Sequence, residues 1–144
     1  MLIKKINKIP DSIFTSLNLA VHDKSIEHNT NLAGNIEQEY KLDKYISMLE
    51  KYLLDEIGND SGLMDYMNTN FNCNTENRLL SLTSLWVNFQ KKHEFNPVHN
   101  HDGVFSFIIF IKVPFLRKEQ KKISPGKKSN FECAGFLEFL YSGF

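Results

Sequence analysis

Neither sign of charge is in excess in this chain: 17 Lys and Arg balance 17 Asp and Glu over 144 residues. A generalised polyanion binder needs a basic surplus to displace counterions, so nucleic acid is excluded as a bulk electrostatic partner. Cysteine is scarce, with only Cys73 and Cys133. Two isolated thiols make neither a disulfide framework nor a zinc finger, and they suit a reducing compartment. Arginine is confined to Arg78 and Arg117, and no His-Glu-x-x-His motif occurs, which removes the zincin reading. No apolar run reaches the roughly 18 residues of a membrane span, and Met1-Leu-Ile-Lys-Lys-Ile-Asn-Lys8 lacks a signal-peptide core. The expectation is a single soluble cytoplasmic domain over residues 1–144, with no membrane or nucleic-acid partner.

What is present falls into two parts. Residues 1–60 are predicted to be mainly helical, after a short edge strand over 2–9 that stops at Pro10. Pro10 and Asp11 open a helix over 11–22, with Ile13, Phe14, Leu17 and Val21 at helical spacing. Residues 25–35 have loop chemistry. Leu42, Ile46, Leu49, Leu53 and Ile57 then mark a second helix ending at Gly58. A polar segment over 68–77 leads into residues 77–144, where the period changes. Residues 79–89 alternate like a half-buried strand, 104–113 are nearly all apolar and β-prone, and 131–141 form a third strand candidate. For Trp86 and the phenylalanines of these strands, core packing is the expectation. The lysine-rich segment 117–128 lacks interleaved aromatics and reads as a solvated loop. The fold class is therefore α+β, with N-terminal helices covering a β core.

The informative chemistry lies in Asn96-Pro-Val-His99-Asn-His101-Asp102-Gly103, just before the apolar strand. Residues i and i+2 of an extended chain point to one side, so His99 and His101 can converge on one ion. Asp102 has the opposite parity and joins them only if the backbone turns, which Gly103 permits. Two histidines and a carboxylate form the facial triad of non-heme iron oxygenases. The bland reading of the same residues is an exposed, polar turn. His22, His28 and His93 have no pattern around them and read as surface residues. A cupin-type metal module is disfavoured, since Phe105 and Ser106 stand where cupins place a glutamate.

Four blocks carry a resemblance. Asn31-Leu-Ala-Gly-Asn-Ile-Glu-Gln-Glu-Tyr40, Leu85-Trp-Val-Asn-Phe89, Asn96 to Gly103 with Phe105-Ser-Phe107, and Gly135-Phe-Leu-Glu-Phe-Leu-Tyr141 occur in order. Together they resemble the 2-oxoglutarate/Fe(II)-dependent oxygenases of marine T4-like bacteriophages and related bacteria. The resemblance implies a double-stranded β-helix (jelly roll), Fe(II) and 2-oxoglutarate as cofactors, and hydroxylation-type oxidation. It places metal ligands at His99 and His101, with Asp102 the competing carboxylate. In a phage-encoded protein the compartment would be the host cytoplasm.

Such proteins also look to a distal histidine and a following arginine, and no histidine occurs after His101. The expectation is thus a C-terminally truncated member with an incomplete, partial jelly roll. Its unpaired strand edges would favour self-association. The alternative is a non-catalytic jelly-roll structural or interaction protein of a phage.

Overall fold

A computed structural model describes residues 3–71, 80–120, 122 and 137. Two compact units divide the chain, one over Leu2–Ser106 and the other over Phe107–Phe144 with Met1. In the first unit, α1 (Asp11–Ala20) begins where Pro10 fixes the entry, and the Phe14 amide donates to the Pro10 carbonyl at 2.9 Å. Leu17, Ala20 and Val21 are buried, whereas Phe14 sits at the surface. After a 3-10 turn at Asn29–Asn31 comes β1 (Glu39–Lys41), and a second 3-10 turn at Asp43–Tyr45 feeds α2 (Ile46–Gly58). Leu42 and Leu49 lie at the centre of the core, as the helical spacing predicts.

A third helix, α3 (Ser61–Phe71), follows at once and buries Leu63, Met64 and Met67. Asp60 caps it, its Oδ1 accepting from the Leu63 amide at 3.1 Å. Sequence periodicity missed this helix, because Ser, Gly and Asn dilute the apolar face that Leu63, Met64 and Met67 form. β2 (Trp86–Asn88) runs antiparallel to β1, with Glu39 opposite Asn88, Tyr40 opposite Val87 and Lys41 opposite Trp86. On the other edge of β1, an isolated bridge joins Glu27 to Tyr40.

The class is α+β, with three α-helices and a two-stranded antiparallel sheet among the described residues of this unit. Several predicted strands are corrected. Residues 3–9 are irregular: Lys4 instead reaches the end of α2, donating to the Glu56 carbonyl at 2.7 Å and pairing with its carboxylate at 3.0 Å. A lysine at a helix C-terminus satisfies an orphan carbonyl and the helix dipole. The strand expected over 79–89 shortens to Trp86–Asn88.

The apolar run 104–113 forms no strand, because no ladder partner for it exists among the described residues. In the second unit Phe107, Ile109 and Ile111 are half-buried while Ile108 and Phe110 are exposed, an alternation without a sheet. The core expectation fails there: Phe110 is 63% exposed. Lys118 and Lys122 are exposed as expected, although a short helix, α4 (Arg117–Gln120), opens that segment. The strand expected over 131–141, and both cysteines, lie outside the described residues save Leu137.

Asp43 ties the two strands' surroundings together. Its Oδ1 accepts from the Leu85 amide at 2.9 Å and its Oδ2 pairs with Lys41 at 2.8 Å. Burial alone pushes its pKa up, but the Lys41 ammonium and the Leu85 amide outweigh burial and hold it below the usual 3.8. This contribution is therefore present above pH 3.8 and lost as pH falls through the lower folded value. Asp43→Ala is expected to cost about 1–2 kcal/mol at neutral pH by orphaning the Leu85 amide. Urea denaturation from pH 2 to 7 checks it, the difference between the proteins narrowing at the acid end.

Candidate metal centre

The centre begins at Pro97, which removes a donor and fixes φ ahead of the histidine turn. His99 Nδ1 donates to the Pro97 carbonyl at 2.7 Å. That bond assigns the proton to Nδ1 and leaves the Nε2 lone pair free, the orienting contact typical of a metal-ligating histidine. The rings of His99 and His101 lie 4.6 Å apart between centroids at 61°. His101 in turn stacks on Trp86 of β2, with centroids 6.3 Å apart and planes within 19°. His28 packs on the same indole at 6.3 Å. His28 is thus half-buried rather than a surface residue, and Trp86 is a half-buried plate for imidazoles rather than core filling.

The electrostatics suit neutral ligands. Partial desolvation, and then the neighbouring His99, lower the pKa of His101, against a weaker opposing pull from Asp102. A neutral imidazole is the form that binds a metal. Gly103 has φ +90°, so the backbone does turn immediately after Asp102. Even so, among the described residues no group of three or more His, Cys, Asp and Glu is gathered to hold an ion. The structure brings His99 and His101 together and does not gather Asp102 with them into such a group. Two imidazoles fit the nitrogen side of a facial site; the carboxylate side is not assembled.

A second polar constellation escaped sequence reading. Glu39, at 0% exposure, is the one buried charged residue among those described, and neither carboxylate oxygen has a hydrogen-bond partner. Burial, and then the charge of Glu94, raise its pKa above 4.5. Glu39 and Asn88 are directly opposed, so they share a sheet face with Lys41 and Trp86. Gly34 and Glu39 both stand inside the first of the four blocks.

No family model matches this chain, and no solved structure matches it. Over 103 residues, 69% of the chain, it is 28% identical to a protein of Plasmodium falciparum (isolate 3D7) named "Putative histone-lysine N-methyltransferase 1". The chain spans about 2% of that relative's length. Among the described residues, no helix is long and apolar enough to cross a membrane.

Proposed function

We propose that His99 and His101 are protein ligands to Fe(II) in a domain of the 2-oxoglutarate/Fe(II)-dependent dioxygenase type, built on a partial jelly roll. The observation that carries this reading is the His99 Nδ1–Pro97 bond beside the neighbouring His101 ring, which leaves Nε2 of His99 free next to a second imidazole whose charged form is disfavoured. Bound iron with 2-oxoglutarate would supply oxidation of a C–H bond coupled to decarboxylation. The chain's own part is to orient His99 through Pro97, to steady His101 on Trp86, and to offer Asp102 as third ligand or as an orienting carboxylate. The compartment in this reading is the cytoplasm of a host cell.

Anaerobic titration with Fe(II) and then 2-oxoglutarate tests it. The wild type is expected to develop the visible charge-transfer absorption of a chelated complex, and His99→Ala to lose it. Absorption in neither protein would overturn the reading.

One observation favours a second reading, a non-catalytic jelly-roll structural or interaction protein. No three-residue ligand group is assembled among the described residues, while Ile108, Phe110, Val113 and Leu116 are all more than half exposed. An apolar, unpaired segment of this kind is a site for self-association.

A further inference from the structure

Glu39 poses a chemical problem that the histidine pair does not solve. A buried carboxylate accepts hydrogen bonds and donates none, and here both oxygens are without a protein donor. Two asparagines beside it place their amide oxygens in the same region. Asn88 Oδ1, from the directly opposed residue of β2, is buried and equally without a partner. Asn96 Oδ1 and Glu39 Oε1 converge on one point beside Gly34: a Cβ there would lie 2.5 Å from the first and 2.9 Å from the second. Asn96 and Glu39 thus bring side-chain oxygens together beside Gly34, and the strand register sets Asn88 next to Glu39.

The surrounding backbone holds this arrangement in place. Asn35 donates to the Phe95 carbonyl at 2.9 Å, which fastens the Gly34 loop beside Asn96. Asn29 Nδ2 donates to the carbonyls of Ile36 and Glu37 at 2.6 and 2.7 Å. The Glu37 amide donates to Glu94 Oε1 at 3.0 Å. The nearby cations are engaged elsewhere: Lys41 with Asp43, Lys24 with Gln38, and Lys91 with Glu37. Nothing among these groups donates to Glu39.

We propose that Glu39, Asn88 and Asn96 form an oxygen-lined site for an alkali cation, Na⁺ or K⁺, with Glu39 and Asn96 packed closely against Gly34. Charge decides the valence. The nearby Glu94 carboxylate is already held by the Glu37 and Lys91 amides. One carboxylate and two neutral amides thus neutralise a single positive charge, whereas a divalent ion would leave a net charge buried against apolar Ile36. Hard oxygen donors exclude the soft, nitrogen-preferring metals that the histidines would take. The ion binds the folded chain and so stabilises it.

The test is thermal melting of the full chain in tetramethylammonium chloride, replaced stepwise by NaCl or KCl at constant ionic strength. The wild type is expected to gain several degrees along a saturating curve. Glu39→Gln, which is isosteric, should show no such gain, and Asn96→Ala, altered at an exposed residue, should shift the curve to about tenfold higher salt, the value of one lost ligand at 1.4 kcal/mol per decade. Three outcomes overturn the proposal: an unchanged wild-type melting temperature in all three salts, an equal gain in Glu39→Gln, or a gain produced by millimolar Ca²⁺ or Mg²⁺ and not by the alkali ions.

Discussion

Leu49→Ala should lower the free energy of unfolding by about 2–5 kcal/mol, the range for emptying a fully buried leucine site. Leu49 has 0% exposure and projects from the first turn of α2, the helix that packs against both α1 and α3. Few residues share its work: ten apolar side chains make up the buried core among the described residues. A core so small leaves little reserve against a net stability of roughly 5–15 kcal/mol for a typical domain. The α1, α2 and α3 contacts all converge on α2, so they cannot collapse into the void without moving one another. Urea denaturation measures the effect as a lower midpoint at unchanged slope. A loss below about 1 kcal/mol would mean that Leu49 is not where the helices meet.

The second large effect has the opposite sign. In tetramethylammonium buffer at pH 7, Glu39→Gln should stabilise the protein by about 1–3 kcal/mol, the penalty for a buried polar group left unsatisfied. Glutamine keeps the shape and adds an NH₂ that can donate to the acceptor oxygens of Asn88 and Asn96. The pH dependence follows from the raised carboxyl pKa. Above pH 4.5 the unfolded chain releases a proton that the folded chain retains, so wild-type stability falls as pH rises through the raised folded value. Glutamine has no such dependence. The gap between the two proteins should therefore be absent below pH 4 and open as pH rises above 4.5. Na⁺ or K⁺ should narrow it by stabilising the wild type alone. A destabilised Glu39→Gln at pH 7 in tetramethylammonium would show that the carboxylate has partners after all.

What the sequence disclosed, and what it hid, can be traced to particular residues. The helices over 11–20 and 46–58 were legible because Ile13, Phe14, Leu17 and Val21, and then Leu42, Ile46, Leu49, Leu53 and Ile57, recur at helical spacing, and Pro10 and Gly58 punctuate it. The helix at 61–71 was hidden: its buried Leu63, Met64 and Met67 sit among Ser, Gly and Asn, and its clearest signal was the cap at Asp60. Strand reading failed where composition had no partner behind it. Residues 104–113 have every β-forming preference, but a strand exists only as one side of a ladder, and pairing is a long-range property. β1 was missed for the converse reason, since Glu39-Tyr-Lys41 has no apolar alternation and is set by its contacts with Trp86–Asn88 and Glu27. Within the candidate metal centre, the i, i+2 spacing correctly signalled two imidazoles close in space. Their packing on Trp86, the Pro97 bond and the place of His28 depend on contacts between distant segments. Glu39 illustrates the limit most clearly, for nothing in a sequence marks one glutamate among several as buried without a donor.

The central claim, that the imidazoles of His99 and His101 jointly hold one metal ion, is tested most directly by long-range proton–nitrogen NMR of the five histidines during titration with diamagnetic Zn²⁺. In the metal-free protein His99 is expected as the Nδ1–H tautomer. One equivalent of Zn²⁺ should then shift the ligating nitrogens of His99 and His101 together, while His22, His28 and His93 stay in place. Signals of His99 and His101 that stay unmoved, or that shift at different stoichiometries, would contradict the account.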